Sequence, residues 1–168
     1  MAVKILLVDD MEDTHELVKD FLDEYPAKII SAKNGRKAVE ALKDHGAVDL
    51  ILLDLMMPAM DGYEFLDVIR RKKIEGVSTV WEPGMRPEEM AERMAETEKK
   101  LNEMAAKVPV IIISAKDQKA DVVKARKYNI AGYLAKPFSQ ELLVERITSA
   151  LGGRFTKSDY ADVDRLLD

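Results

Sequence analysis

Five short runs of apolar residues constrain this chain more than anything else in it. They are VKILLV at 3–8, AKIIS at 27–31, DLILL at 49–53, VIII at 110–113 and GYLA at 132–135. Runs this short, with few polar residues between the apolar ones, read as strands covered on both faces. The stretches between them are amphipathic. Residues 13–25 place Leu17, Val18, Phe21 and Leu22 on one helical face, 35–45 place Ala38, Val39 and Leu42, and a third helix carries Phe65, Leu66 and Ile69. Residues 118–128 and 140–151 complete the alternation. Buried strands alternating with helices predict a parallel sheet with helices on both faces, and right-handed crossovers distribute them. The expected fold is therefore α/β, a doubly wound five-stranded parallel sheet in the order 2-1-3-4-5. That order makes strands one and three neighbours at the switch point, where such sheets bind ligands.

One segment does not fit five βα units. A connection from helix to strand needs about 2–6 residues, yet residues 72–107 separate the third helix from the fourth strand. They are read as an insertion, opening with a loop that carries Trp81. A helix follows over about 87–107, with Pro87 at its first position, Glu88 and Glu89 at its positive end and Lys107 at its negative end. Met90, Met94, Thr97, Leu101, Met104 and Val108 form a single narrow stripe along it. Such a stripe packs on its own domain or makes a homodimer seam with a second copy; the first is the expectation. The domain is expected over 1–151 and a C-terminal tail over 152–168, with Tyr160, Val163, Leu166 and Leu167 as its apolar residues. The tail is too short for a DNA-binding module, so no direct DNA binding is expected.

Composition enters mainly to exclude. A net charge of -5 argues against broad attraction to nucleic acid or anionic membrane, and the lack of cysteine removes disulfides and thiolate chemistry. The apolar run before Asp9 is too short for a signal peptide or a membrane span. A cytoplasmic location is the default, and His15 and His45 are expected to be solvated.

The residues that carry chemistry stand at the ends of the apolar runs. Asp9 and Asp10 follow the first, Asp54 the third, Ser114 the fourth, and Lys136 the fifth. A carboxylate can attack a phosphoryl group and hold it as an acyl phosphate. Two more carboxylates close by repel it, by roughly 4 kcal/mol per pair at 4 Å and an effective dielectric of 20. A divalent cation relieves this repulsion, and an all-oxygen site with few ligands favours Mg²⁺. Lysine and a serine hydroxyl then meet the phosphoryl oxygens.

With these residues the chain resembles the receiver domain of two-component response regulators. The matching pieces are Asp9/Asp10, Asp54 with the following LMMPAMDG, Ser114-Ala115, Tyr133 and Lys136-Pro137. The resemblance implies that Asp54 is the phosphoacceptor and that Asp9, Asp10 and the backbone carbonyl of Met56 join it in holding Mg²⁺. It also implies that Ser114 and Lys136 contact the phosphoryl group, that Tyr133 moves inward from solvent with Ser114 as a switch, and that Lys136-Pro137 is cis. Met56 and Lys116, each two residues beyond a site residue, would tune the acyl phosphate's lifetime. The implied function is that of a stand-alone receiver: a signalling protein that catalyses only its own phosphorylation and dephosphorylation. Its partners would be a sensor histidine kinase or phosphotransfer protein and an output protein that the sequence does not name. One alternative is an aspartate-nucleophile phosphohydrolase of the haloacid dehalogenase type, although Met56 stands where that family has an acid. The other is a pseudo-receiver that binds without being phosphorylated.

Overall fold

The computed structural model describes residues 2–71, 73–77, 82–115 and 119–157. In chain order these form β1 (Val3–Val8), α1 (Glu12–Phe21), β2 (Ala27–Ala32), α2 (Gly35–His45), β3 (Leu50–Asp54) and α3 (Gly62–Arg70). Then come α4 (Pro87–Lys107), β4 (Val110–Ala115), α5 (Lys119–Ala125) with a 3₁₀ turn at Arg126–Tyr128, β5 (Gly132–Lys136) and α6 (Gln140–Ala150). The five strands are parallel and ordered β2-β1-β3-β4-β5, the doubly wound arrangement expected from the alternation.

Side-chain alternation along each strand divides the core in two. Leu6, Val8, Ile51, Leu53 and Ile112 face one layer, packed with Ala38 and Leu42 of α2 and with Phe65, Leu66 and Ile69 of α3. Ile5, Leu7, Leu50, Leu52, Ile111 and Ile113 face the other, against Val18 of α1 and Leu143 and Ile147 of α6. Since the strands feed apolar side chains to both layers, they read as continuous apolar runs rather than alternating ones.

Three local expectations are corrected. Leu17, assigned to the buried face of α1, is 37% exposed, while His15, expected to be solvated, is buried among the site elements. The buried stripe is His15, Val18 and Leu22, spaced three and four residues apart, so α1 is rotated toward its histidine. The expected boundary at 151 also falls short. Phe155 is buried in the second layer and stacks on Tyr25 with ring centroids 5.0 Å apart, and Lys157 bonds Glu24 at 2.6 Å. Trp81, Lys116 and the tail's Tyr160, Val163, Leu166 and Leu167 lie outside the described residues.

The inserted segment joins the first core layer through its end. Leu101 and Ala105 of α4 are buried there with Val108, Ile74 and Val77. Arg70, in the last turn of α3, fastens this end by donating from its guanidinium to the carbonyls of Ala105 (2.6 Å), Val108 and Tyr128. The first turns of α4 lie exposed. Their helix is supported by Glu89, whose carboxylate accepts the Arg86 amide at 3.3 Å and its guanidinium at 2.7 Å, and by the Glu96–Lys100 and Arg93–Glu82 ion pairs.

Candidate functional site

Strand register brings the acidic residues together. Val8 is level with Leu53 across β1 and β3, so the next residues, Asp9 and Asp54, emerge side by side on adjacent strands. Asp10 follows at the rim. One carboxylate oxygen from each of the three lies within 4.8 Å of the others; Asp9 and Asp54 are buried and Asp10 is exposed. At the far side, Ala115 is level with Lys136 across β4 and β5. The Lys136 ammonium reaches in, 2.7 Å from Asp9 Oδ2 and 3.7 Å from Asp54 Oδ2, just before a cis Lys136–Pro137 peptide.

The two buried carboxylates each have a backbone partner. Asp9 Oδ1 accepts the Met11 amide at 2.8 Å, and Asp54 Oδ1 accepts the Met56 amide at 3.3 Å. The loop after Asp54 is closed by Gly62 N–H donating to the Leu55 carbonyl at 3.1 Å, and it is tied to α2 by Gly35 N–H donating to the Met60 carbonyl at 2.8 Å. Both glycines are required by space. A Cβ at Gly62 would lie 2.5 Å from the Asp54 carbonyl oxygen, and one at Gly35 would lie 2.8 Å from that of Met60. Asp61 then caps α3 by accepting the Glu64 amide at 2.9 Å.

The electrostatics single out Asp54. Burial pushes its carboxyl up from 3.8 to about 6; Lys136 and the Met56 amide pull down, Asp9 and Asp10 push up, and burial wins. Three carboxylates with one lysine among them leave excess negative charge in a partly buried, all-oxygen cleft. Such a donor set fits Mg²⁺, which prefers carboxylate oxygens and retains water.

The other sequence-derived residues are placed as follows. Ser114 is fully buried at the end of β4, and its hydroxyl donates to the Ala115 carbonyl at 3.3 Å. Met56 is 60% exposed beside the cleft. Tyr133 is half-buried against the first core layer, with a buried hydroxyl that has no hydrogen-bond partner among the described residues. His15 is the residue that sequence reasoning missed: its Nε2 lies 2.7 Å from the Asp9 carbonyl oxygen. Its place on the Val18–Leu22 stripe was the available signal.

Among the described residues no helix is long and apolar enough to cross a membrane. The uncharacterized transcriptional regulatory protein YcbL of Bacillus subtilis (strain 168) is 28% identical over 146 residues, covering 87% of this chain and 50% of YcbL. The response regulator SaeR of Staphylococcus aureus (strain USA300) is 25% identical over 162 residues, covering 96% of this chain and 56% of SaeR. The chain spans about half the length of these relatives. Two solved structures share the fold. One is the Vibrio cholerae chemotaxis protein CheY4, with TM-score 0.62 and 22% identity over 90% of this chain and 100% of that one. The other is the receiver domain of the sensor histidine kinase PA1611 from Pseudomonas aeruginosa PAO1, solved with a magnesium ion coordinated in its active site cleft. Its TM-score is 0.65 at 22% identity, over 90% of this chain and 99% of that one. The family profile of the response regulator receiver domain matches residues 5–98 and 92–148, its two segments overlapping within α4. With the sheet order and the acidic cleft, a match of this extent places the chain in the response regulator receiver domain family.

Proposed function

We propose that this chain accepts a phosphoryl group from a phosphohistidine onto Asp54 and that the acyl phosphate changes which partner it binds. The observation that carries this reading is the meeting of Asp9, Asp10 and Asp54 within 4.8 Å, with Lys136 entering the same cleft. A carboxylate oxygen of Asp54 attacks phosphorus, the phosphorus–nitrogen bond breaks, and the imidazole leaves with the bonding pair and takes up a proton. Lys136 supplies positive charge to the phosphoryl oxygens, and Ser114 donates a hydrogen bond to one of them. Asp9, Asp10, Asp54 and the Met56 carbonyl would hold Mg²⁺, which when bound offsets the charge of carboxylate and phosphoryl oxygens alike. The magnesium-bearing cleft of the PA1611 receiver domain supports that assignment.

Asp54 with its carboxyl near 6 is mostly ionised at neutral pH, as a nucleophile must be. The exposed thioether of Met56 offers nothing to orient an attacking water, so the acyl phosphate is long-lived. The donor is a sensor histidine kinase or a phosphotransfer protein, and the setting is cytoplasmic. Because the relatives are about twice as long, the output lies with a partner or with further chain.

The test is intact mass after incubation with acetyl phosphate, with and without Mg²⁺, on the parent and on Asp54→Asn. A mass gain of one phosphoryl group is expected in the parent with Mg²⁺ only. Equal labelling of both proteins would sink the assignment of Asp54, and multiple turnover of small phosphate esters would favour a phosphohydrolase.

A further inference from the structure

His15 is the most deeply placed polar group that the phosphoryl chemistry leaves unused. It is 1% exposed, and its ring Nδ1 is buried without a hydrogen-bond partner among the described residues. A leucine in that place would avoid burying an unsatisfied nitrogen, so the imidazole costs stability where it stands. Its return is a single bond: Nε2 lies 2.7 Å from the carbonyl oxygen of Asp9. A carbonyl only accepts, so Nε2 carries the hydrogen in this contact.

That carbonyl belongs to the peptide joining Asp9 to Asp10. The peptide is planar, so fixing its oxygen fixes the direction in which the chain leaves for the Cα of Asp10. The rest of the turn is held around it: the Asp9 amide donates to the Ala32 carbonyl at 3.0 Å, Asp9 Oδ1 accepts the Met11 amide at 2.8 Å, and the Thr14 amide donates to the Met11 carbonyl at 3.2 Å. Asp9 is thus restrained from β2, from its own turn and from Lys136. Asp10 is exposed, and the shared peptide is its link to that scaffold.

We infer that His15 is a positioning residue that sets the Asp9–Asp10 peptide plane and thereby the affinity of the acidic pair for a divalent cation. The inference rests on the cation site proposed above and deepens it. It assigns the role to a hydrogen-bond donor on α1, reached through backbone.

The experiment measures Mg²⁺ binding by isothermal titration calorimetry, alongside the thermal midpoint, for the parent, His15→Leu, His15→Met and His15→Gln. Glutamine keeps a donor near the Nε2 position; leucine and methionine fill the space without one. Outer-shell partners of metal ligands are worth roughly 10- to 100-fold in affinity. We expect the lower bound here, about tenfold weaker Mg²⁺ binding in His15→Leu and His15→Met. Their thermal midpoints should match or exceed the parent's, and His15→Gln should bind nearly as the parent does. Equal affinity in all four proteins, or an equal loss in His15→Gln and His15→Leu, overturns the inference, because the donor would then not matter. A parent that binds no Mg²⁺ overturns the proposed cation site itself, a result distinct from either. If His15→Leu does not fold, His15→Met against His15→Gln gives the same decision.

Discussion

At the carboxyl ends of β1 and β3, the buried Asp9 and Asp54 side chains are held by polar contacts in fixed register, whereas the inserted α4 is held over its last two turns by apolar burial and by Arg70 on its carbonyls, while its first turns lie exposed. Asp9 alone has three polar restraints on its side chain and carbonyl. Along α4, Met94 is 37% exposed but Leu101, two turns later on the same stripe, is 6% exposed. The first region has almost no room for substitution, and the second has a boundary within one helix. The lesson is that an insertion can be half core and half surface, so it cannot be removed as a unit. Replacing 73–107 with a turn would strip Ile74, Val77, Leu101 and Ala105 from the core.

The largest expected effect tests the crowding at the site end. Gly62→Ala would put a Cβ 2.5 Å from the Asp54 carbonyl oxygen and 2.7 Å from Leu55 Cα, both of them backbone that carries the site. We expect a loss of at least ~3 kcal/mol in stability and acetyl phosphate labelling that falls well below the parent's in protein confirmed as folded. Gly84→Ala, with φ +93 and nothing within 4 Å among the described residues, should cost only the left-handed backbone, about 1–2 kcal/mol, and leave labelling unchanged. If the two variants behaved alike in urea unfolding and labelling, the contrast between the regions would be lost.

Next in size is the boundary within α4. Leu101→Ala should cost about 2–4 kcal/mol, as buried leucine truncations do. Met94→Ala, one helical stripe position pair earlier, should change stability by less than about 0.5 kcal/mol. Urea denaturation of the two variants locates the edge of the core. A large loss from Met94→Ala would show that something covers the exposed turns.

How much of this was legible in the sequence follows the same division. The strands were readable because each is buried on both faces, so five apolar runs had one interpretation. The site was readable because its residues stand at the ends of those runs, and a parallel sheet brings strand ends together. His15 was missed because a histidine on a helix was weighed as a polar residue rather than as a member of the Val18–Leu22 stripe. The anchoring of the insertion was readable in part: the stripe named Leu101 and Val108, which are buried as an own-domain packing requires, but not the residues that meet them. Ile74 and Val77 are single apolar residues in an irregular loop, and a last-turn arginine such as Arg70 ordinarily faces water rather than binding three carbonyls. Ala59, at φ 68, was equally silent, since nothing in its side chain announces a left-handed backbone.

A third, smaller effect sharpens the electrostatic side of the comparison. The Asp54 carboxyl is raised from 3.8 to about 6, so below 3.8 it is protonated in both folded and unfolded chains and contributes no pH dependence. As pH rises from 3.8 to 6 the unfolded chain releases this proton first, and the fold loses stability; above 6 the full cost remains. Two pH units correspond to an upper limit of about 3 kcal/mol, and we expect about 2 kcal/mol after local relaxation. Asp54→Asn should therefore be more stable than the parent by about that amount at neutral pH without Mg²⁺. The difference should fade as pH falls from 6 toward 4. A difference that does not vary with pH would mean that burial of the charge is not what strains the site.

The smallest effect concerns Ala59, in the loop between Asp54 and α3. Its φ of 68 places a Cβ in the left-handed region, where an L-residue is disfavoured by about 1–2 kcal/mol. Glycine removes that penalty but gains freedom in the unfolded chain, which takes back roughly 0.5–1 kcal/mol. Ala59→Gly should therefore stabilise the protein by about 0.5–1 kcal/mol, read as a higher urea midpoint with an unchanged slope. The loop's ends are fixed independently, by Gly62 on Leu55 and by Gly35 on Met60, so labelling should stay as in the parent. A stabilised variant with slower labelling would instead mean that the strain at Ala59 helps set the loop that follows Asp54.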